Sequence, residues 1–430
     1  MRSNYKQLGQ FISPIDIRNE QLEVETLLGV SVKKIFIPSI ANTVGTDFKK
    51  YKIVKKHQFT YIPDTSRRGD KIGLAMLVDY DVALVSQAYT VFEIVDHNKL
   101  DPEYLMMWFR RPEFDRYARF KSHGSVREIF DWDEMCETEL PVPSIEKQRE
   151  IVKEYNTVVN RIKLNEQLNQ KLEETAQALY KHWFVDFEFP NENGQAYKSS
   201  GGEMVYNEEL DQEIPSDFGV CQLENFIDSS FGGDWGKVKP EGNYLEKVTC
   251  VRGTDIPMFK SGALNNAPIR YILNKNLKNK EVLENNIIIE ISGGSPTQST
   301  GRAVLVSASH IKAMETPIIC SNFCRVIQLN SNTHSRLFYS HLDYLYDLDY
   351  LFTFENSTTG VKNFDLTAFL EEEYMVKPNN SLLIEYNKTF DLLQKNILSY
   401  RREINGLKKL KELVLTKMSR VESLETEQAI

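Results

Sequence analysis

The sequence has little cysteine and no long apolar run. Its five cysteines, which form no CxxC pair, are Cys136, Cys221, Cys250, Cys320 and Cys324. An odd, scattered set of this kind argues against a disulfide scaffold or a zinc site and favours reduced thiols. No stretch approaches the roughly 18 apolar residues that cross a bilayer, and the first residues have no apolar core after their charges. We therefore expect a cytoplasmic chain without membrane contact.

Recognisable catalytic motifs are also missing. The seven histidines form no HExxH or HxH pair, and neither an Asn/Asp-Pro-Pro-aromatic methyltransferase motif nor a glycine loop for S-adenosylmethionine is present. A serine nucleophile elbow is absent as well. The sequence therefore predicts a non-catalytic chain that holds no cofactor or metal of its own.

The sequence also lacks an excess of positive charge. Its 61 acidic residues outnumber 52 Lys and Arg residues, which gives a net charge of −9. Since neutralisation of phosphates by Lys and Arg supplies most non-specific affinity for DNA, such a chain would hold DNA poorly by itself. The charge is uneven, however, because the stretch from Lys49 to Lys71 contains eight basic residues and two acidic ones. It predicts a local basic surface inside an acidic total.

An internal repeat is the strongest feature that is present. The segment from Val85 to Phe92 aligns with the segment from Cys320 to Ile327, so that Ser321 lies 235 residues after Ser86. The same spacing relates further pairs, which are Val126 and Val361, Pro143 and Pro378, Ile162 and Ile397, and Leu172 and Leu407. One constant spacing over so long a stretch indicates two copies of the same unit.

Each copy ends in a long helical pattern whose seam residues recur at alternating spacings of four and three. The apolar seam residues are Ile151, Tyr155, Val158, Ile162, Leu172 and Leu179 in the first helix, and Phe390, Leu393, Ile397, Ile404, Leu407 and Val414 in the second. Polar side chains interrupt the seam at Asn165, Asn169 and Lys411. This pattern is typical of a coiled coil, although an ordinary amphipathic helix shows a similar stripe. Because the second helix must return toward the first domain, we expect antiparallel pairing.

These patterns divide the chain into six segments. They are a first domain at 1–143, a long helix at 144–189, a polar linker at 190–215, a second domain at 216–378, a second long helix at 379–420 and a disordered tail at 421–430. Short apolar runs, turn residues and helix-like stretches alternate in both domains. The expected fold class is α+β, with two repeated domains separated by two long antiparallel helices that form a coiled coil. The first helix would be about 60 Å long, enough to span two sites one DNA turn apart.

Several motifs in a fixed order resemble one family. They are the step Leu140 to Pro143 into the charged helix start Ile145 to Val152, the helix end Leu179 to Phe187, and Ile291 to Pro296 followed by Gly301-Arg302. Together with the repeat, they resemble the DNA-specificity subunits of type I restriction-modification enzymes over essentially the whole chain. The second copy departs from the pattern at Pro378-Asn379-Asn380, where it lacks the charged helix start.

The resemblance implies a function and partners. In that family each domain, called a target-recognition domain, reads one half of a split sequence in double-stranded DNA, and the paired helices set the gap between the halves. Two methyltransferase subunits bind the helices, and restriction or translocase subunits can join them. S-adenosylmethionine, ATP and Mg²⁺ are then expected on these partner subunits. Partners that supply much of the DNA-binding surface would also account for the acidic charge of this chain.

Candidate DNA contacts follow from residue chemistry. The loop from Gly293 to Arg302 permits close backbone approach to phosphates, and it offers an amide suited to adenine and an arginine suited to guanine. The equivalent segments Ser122 to Arg127 and Ser357 to Lys362 each end in a cation, so both are predicted to position phosphates. The candidate residues are Arg67, Arg68, Lys71, Ser125 and Arg127 in the first domain, and Arg252, Lys260, Gly293, Gly294, Ser295, Gln298, Arg302, Thr359 and Lys362 in the second. Each also has a plain interpretation as a turn residue or a solvated cation.

Two other functions stay open at this point. One is an interaction scaffold whose coiled coil joins proteins and whose domains bind no DNA. Salt-dependent binding of a methyltransferase complex to duplex DNA separates this scaffold from a specificity subunit. The other is a stand-alone DNA-modifying enzyme, which would show activity as a purified chain with S-adenosylmethionine alone.

Overall fold

The computed structural model describes residues 5–40, 45–65, 71–124, 127–262, 267–293, 298–358 and 360–418. The chain divides into two compact units, the first drawn from Met1–Ile162 with Gly406–Ile430 and the second from Lys163–Asn405. Both units combine strands with helices. Within the described ranges, no helix has both the length and the apolarity that a membrane span needs.

The first unit is built on a small antiparallel sheet. Its strands are β1 (Tyr5–Gln7), β2 (Ile12–Ile15), β3 (Leu28–Val30), β4 (Phe36–Pro38), β5 (Lys52–Lys55), β6 (Phe59–Tyr61), β7 (Leu74–Met76), β8 (Val82–Val85), β9 (Thr90–Ile94) and β10 (Glu139–Pro141). Its helices are α1 (Pro102–Phe109), α2 (Pro112–Lys121) and α3 (Trp132–Glu137), followed by the start of the long helix α4 (Ile145–Phe184). The central sheet has the order β2-β9-β6-β7. Phe59 stacks on Phe92 in the core beside this sheet, with 5.1 Å between ring centroids.

The second unit is larger and contains more strands. They are β11 (Met204–Asn207), β12 (Gln212–Pro215), β13 (Gly219–Gln222), β14 (Ile227–Gly232), β15 (Tyr244–Val251), β16 (Ile269–Leu273), β17 (Ile287–Glu290), β18 (Ser292–Gly293), β19 (Ala303–Leu305), β20 (Ile318–Cys320), β21 (Cys324–Leu329), β22 (Glu355–Thr358), β23 (Val361–Phe364) and β24 (Tyr374–Lys377). The helices are α5 (Ile256–Lys260), α6 (Asn274–Lys280), α7 (Ala308–Ala313), α8 (Ser335–Asp347), α9 (Leu366–Glu372) and the long α10 (Asn380–Lys417). Its central sheet has the order β14-β21-β17-β19.

The two units repeat one strand arrangement. The sheets β2-β9-β6-β7 and β14-β21-β17-β19 are both antiparallel throughout. Phe59 pairs with Phe92 in the first sheet, and Ile287 pairs with Ile327, the equivalent of Phe92, in the second. The strands that precede the long helices, β10 and β24, pair antiparallel with β1 and β13. The repeat seen in the sequence is therefore also present in the backbone hydrogen bonding.

The two long helices begin at equivalent places but with different caps. At the start of α4, the Ser144 hydroxyl accepts a hydrogen bond from the Lys147 amide at 3.4 Å. At the start of α10, the Asn379 side chain accepts from the Leu382 amide at 2.9 Å. Asparagine is a strong N-cap because its oxygen satisfies an amide that has no partner inside the helix. The cap therefore accounts for a helix start at Pro378-Asn379-Asn380 that lacks the charges of the first copy.

The long helices run antiparallel within the second unit. Near the end of α4, the Phe184 ring lies 4.9 Å from the Tyr386 ring near the start of α10. Two turns earlier on α4, Gln177 lines the same small cavity as Gln394, which is further along α10. Going backward along one helix therefore means going forward along the other. This confirms the predicted antiparallel coiled coil.

The first unit contains the other ends of both helices. Ile151 and Tyr155 of α4 share a core with Val414 and Leu415 of α10. Because the start of α4 packs here against the end of α10, the order of the helix segments agrees with antiparallel pairing. Each unit therefore uses both helices as part of its own core.

The predicted seam residues lie on the packed faces of these helices. The buried ones are Ile151, Tyr155, Val158, Ile162, Phe390, Ile397, Ile404 and Val414, and the half-buried ones are Leu172, Leu179, Leu393 and Leu407. Asn165 and Asn169 are buried too, and their amides have no hydrogen-bond partner among the described residues. A polar residue in a seam costs stability but disfavours other registers of pairing. We infer that these asparagines contribute to the register.

The segment 190–215, predicted to be a linker, contains ordered structure. Strands β11 and β12 form an antiparallel hairpin there, and Ile214 is buried. Just before this segment, Phe189 stacks on Phe218 with 5.2 Å between ring centroids. Apolar residues at both ends thus tie a polar stretch to the core of the second unit. The predicted tail, 421–430, lies outside the described residues.

Buried His310 makes the stability of the second unit depend on pH. Its Nε2 donates to the Phe259 carbonyl at 3.0 Å, and its Nδ1 accepts from the Ser307 amide at 3.1 Å, which requires the neutral ring. Burial lowers the pKa of His310 to about 4. Since histidine in an unfolded chain has a pKa near 6.5, the unfolded state binds more protons between pH 6.5 and 4, and stability falls as the pH drops through this range.

We expect this histidine to contribute a loss of about 2–3 kcal/mol in the free energy of unfolding between pH 7.5 and 4.5. Denaturant unfolding at the two pH values measures the loss. His310→Gln keeps a polar side chain but cannot take up a proton, so this variant should lose less stability over the same interval. An equal loss in the variant and the parent protein would show that other groups cause the pH dependence.

Candidate nucleic-acid interface

A cleft of about 670 Å³ lies in the second unit. It gathers four predicted contact residues, which are Arg252, Gly293, Gln298 and Arg302. Other lining residues were not predicted as DNA contacts from the sequence and include Trp235, Glu290, Asn322 and Phe323. Residues that are far apart in the sequence thus form one concave surface.

The sheet explains why these segments meet. The loop 291–302 leaves β17, and the turn from Ser321 to Cys324 leads into β21. Glu290 at the end of β17 pairs with Cys324 at the start of β21. The loop and the turn therefore lie at the same edge of the sheet. The Ile291 amide joins them by donating to the Phe323 carbonyl at 2.9 Å.

Arg302 makes a buried ion pair at the base of the cleft. Its Nε and Nη2 both donate to the Glu290 carboxylate at 2.7 Å. These hydrogen bonds raise the pKa of Arg302 above its usual value. A bidentate pair of this kind is among the stronger hydrogen-bonded contacts in proteins. Guanine or phosphate was the predicted partner of Arg302. In the structure, two donor groups of its guanidinium are instead hydrogen-bonded to Glu290.

The other predicted cations of this edge also face carboxylates. Arg252 donates from Nε and Nη2 to Asp255 at 2.8 and 2.7 Å. The Nζ of Lys362 lies 3.1 Å from Glu355, while its backbone pairs with Gly293 in the small sheet β18-β23-β22. The predicted loop and the segment ending in Lys362 are thus neighbours. Because each cation has an acidic partner, they add little net positive charge to the cleft.

Lys260 is not part of the cleft. Its Nζ contacts both carboxylate oxygens of Asp343, at 2.6 and 2.7 Å, on the side of the unit that packs beside Phe390 and Gln394 of α10. The structure therefore separates this residue from the other candidates. Its contacts fit the structural interpretation of a half-buried ion pair that joins α5 to α8.

Three candidates of the first unit, Arg67, Arg68 and Lys71, belong in sequence to the equivalent loop. Residues 62–73 connect β6 to β7, just as residues 291–302 connect β17 to β19. The constant spacing of 235 does not reveal this, because Leu305 lies only 229 residues after its equivalent, Met76. The base of the loop is fixed where Asp115 accepts hydrogen bonds from the Lys34 ammonium at 2.6 Å and the Ile72 amide at 3.2 Å. Lys71 is exposed beside it.

The remaining candidates are described only in part. Arg127 is exposed in the segment that follows α2. Arg67, Arg68, Ser125, Gly294, Ser295 and Thr359 lie outside the described residues. Their predicted roles stay predictions.

Two aromatic residues of the cleft were not predicted as contacts from the sequence. Phe323 is 60% exposed and Trp235 is 37% exposed, and the Arg270 guanidinium lies 3.7 Å from the centre of the Trp235 ring. Exposed aromatic faces of this kind can stack on nucleobases. For Trp235, the only signal in the sequence was the pair Gly232-Gly233, which precedes Asp234-Trp235.

Gly233 explains how Trp235 reaches the cleft. A Cβ at this position would lie 2.1 Å from the Cys320 carbonyl oxygen and 2.2 Å from that of Ser321. Only glycine permits this close approach of two backbone segments. The chain then continues with the Asp234 amide donating to the Cys320 carbonyl at 2.9 Å.

The cleft has the chemistry of a recognition surface. It offers amides, hydroxyls, aromatic faces and balanced ion pairs. Such groups suit hydrogen bonding and stacking with base edges. Within the described part of the chain, no group of three His, Cys, Asp or Glu side chains is arranged to hold a metal ion.

Comparison with known proteins gives consistent matches. Residues 12–174 match the family described as the type I restriction modification DNA specificity domain. The type I restriction enzyme MjaIX specificity subunit of Methanocaldococcus jannaschii is 26% identical over 337 residues, which are 76% of this chain and 70% of that protein. The type I restriction enzyme HindI specificity subunit of Haemophilus influenzae is 30% identical over 159 residues, which are 36% of this chain and 34% of that protein.

A solved structure supports the fold. The S subunit of a type I restriction-modification system from M. genitalium has a TM-score of 0.56 at 14% identity, covering 96% of this chain and 95% of that one. The sequence match over residues 12–174 is to a DNA specificity domain, and this neighbour shows that the fold is shared. In sequence the chain is similar to the specificity subunits of type I restriction-modification systems, which confirms the resemblance drawn from its motifs.

Proposed function

We propose that each unit of this chain reads one half of a bipartite target in double-stranded DNA, and that the chain itself is non-catalytic. One observation carries the proposal. Each unit has its own four-stranded antiparallel sheet, and an equivalent loop leaves the equivalent edge of each sheet. The loop is 62–73 in the first unit and 291–302 in the second. Two equivalent edges on one chain suit a target made of two half-sequences.

The long helices have the properties of a spacer and a binding surface. The 40 residues of α4 correspond to about 60 Å, which exceeds the roughly 34 Å of one DNA turn. Apolar side chains are exposed along both helices at Leu164, Ile384, Leu392, Leu410 and Leu413. Exposed apolar residues on a helix favour a protein partner. We infer that the helices set the gap between half-sequences and bind two methyltransferase subunits.

Catalysis and cofactors are proposed to belong to the partners. S-adenosylmethionine would bind the methyltransferase subunits, and ATP and Mg²⁺ would bind restriction or translocase subunits where these join the complex. The net charge of −9 supports this division, because the partners would supply cations that face DNA phosphates. The complex is proposed to act in the cytoplasm. Its affinity for duplex DNA is expected to fall as the salt concentration rises.

Sequencing of methylated adenines in host DNA tests the function. A host with the intact gene should carry a bipartite methylated motif that disappears when the gene is deleted. Methylation by the purified chain with S-adenosylmethionine alone would instead favour a stand-alone enzyme. A methyltransferase complex that contains this chain but does not bind duplex DNA would favour an interaction scaffold.

An exchange of the second domain should change only half of the target. If residues 216–378 are replaced by the corresponding domain of another specificity subunit, we expect a new sequence in one half of the methylated motif and the original sequence in the other. The reason is that the two loops lie in separate units. Methylome sequencing measures both halves, and the reciprocal exchange of residues 1–143 is the control. A change in both halves after either exchange would contradict the division of labour.

A further inference from the structure

The two units contain the same tight turn before an equivalent strand. In the first unit, the Tyr89 amide donates to the Ser86 carbonyl at 3.0 Å, and the Ala88 amide donates to the Ser86 hydroxyl at 3.3 Å. In the second unit, the Cys324 amide donates to the Ser321 carbonyl at 3.0 Å. The serine hydroxyl again accepts from the amide two residues later, at 3.4 Å. The matching hydrogen bonds show that the turn is repeated in detail.

Both turns present an amide side chain at the same position. Gln87 follows Ser86, Asn322 follows Ser321, and the two amides lie 235 residues apart. Both residues are exposed. Neither side chain forms a hydrogen bond with a residue in the described ranges. The serine holds the turn, so that the neighbouring amide is free to meet a ligand.

The turns lie where the candidate loops leave the sheet. Thr90, directly after the first turn, pairs with Tyr61 at the start of the loop 62–73. Cys324, at the end of the second turn, pairs with Glu290 at the start of the loop 291–302. In each unit the amide therefore stands beside the loop that carries the predicted contacts.

The surroundings of Asn322 favour recognition of a base by an uncharged side chain. The cleft cations Arg252 and Arg302 are paired with Asp255 and Glu290. Asn322 lines the same cleft and has no such partner among the described residues. Groups that already face a carboxylate must give up that contact before they bind a base, whereas a free amide does not.

We propose that Gln87 and Asn322 are equivalent base-reading residues, one for each half of the DNA target. An Asn or Gln side chain carries an NH₂ donor group beside a carbonyl acceptor, and it pairs in a bidentate manner with adenine, whose major-groove edge offers the complementary groups. Each amide therefore reads an adenine at one position of its half-sequence. This inference rests on the proposed function, because it assigns the reading of each half to a named residue.

The test uses the complete complex of this chain with its methyltransferase subunits. Binding is measured for duplexes in which each base pair of the target is changed in turn. Asn322→Ala should lower the preference for adenine at one position of one half by about 10- to 100-fold and leave the other half unchanged. Gln87→Ala should do the same in the other half. The controls Gln7→Ala and Gln212→Ala remove exposed amides elsewhere in each unit and should leave every preference unchanged.

The outcomes separate the inference from the proposed function. If the parent complex shows no bipartite preference, the proposed function itself fails. If the parent complex has this preference and both variants keep it, the inference alone is overturned. A uniform loss of affinity across all duplexes would show phosphate contacts in place of base reading and would also overturn it. Thermal unfolding of each variant, expected to match the parent protein, shows that the exposed turn is not needed for folding.

Discussion

Replacing Glu290 with alanine is expected to lower the free energy of unfolding of the second unit by about 3–5 kcal/mol. The Glu290 and Arg302 side chains are only 4% and 16% exposed. The variant would leave the guanidinium buried beside the cleft without its carboxylate, which is costly because the charge has lost most of its hydration. Denaturant unfolding of the full chain measures the change.

A double variant distinguishes the lost charge partner from a simple cavity. Glu290→Ala combined with Arg302→Met removes both charges, and replacing a buried ion pair with apolar groups is often close to neutral. We therefore expect this protein to regain most of the stability lost in the single variant. In a matched surface control, Glu150→Ala breaks the exposed contact with Lys147 and should change stability little. A double variant as unstable as the single one would refute the ion-pair argument.

The same ion pair shows why the sequence could not predict the details of the site. The sequence identified Arg302 as a candidate because of its residue type and its glycine-rich neighbours. It could not show that the antiparallel pairing of β17 with β19 places Glu290 beside this arginine. The Glu290 amide donates to the Arg302 carbonyl at 2.9 Å, so the two side chains meet although twelve residues separate them.

The repeat was predictable because it spans elements whose lengths are matched in the two copies. Ser86 and Ser321 begin the same turn, and Ile162 and Ile397 are both buried in the long helices. The segment that joins β7 to β9 is shorter than the one that joins β19 to β21, so the spacing no longer holds at the loops 62–73 and 291–302, which precede these segments. The sequence analysis did not predict Trp235 and Phe323 as cleft residues, for a related reason. Their position depends on strand pairing and on the close approach of Gly233 to Cys320, neither of which has a periodic pattern in the sequence.

A matched insertion into the long helices is expected to move the two half-sequences apart. Seven added residues keep the alternating seam spacing and lengthen a helix by about 10 Å, or up to about three base pairs at 3.4 Å each. One heptad is placed after Ile162 in α4 and one after Asn405 in α10, where the chain passes from one unit to the other. The sheets and their loops are untouched, so both half-sequences should stay the same while the gap grows. Methylome sequencing of a host that carries only this variant measures the gap.

The control for this experiment is a heptad inserted into α4 alone. Its partner helix would then be two turns short, and the seam residues Ile151 and Tyr155 could no longer meet Val414 and Leu415 while Phe184 meets Tyr386. We expect this variant to lose methylation without gaining a new target, because the antiparallel pairing supports the cores of both units. A matched insertion that leaves the original gap intact would show that something other than helix length sets the spacing. A changed half-sequence would instead mean that the helices also position the base-reading edges.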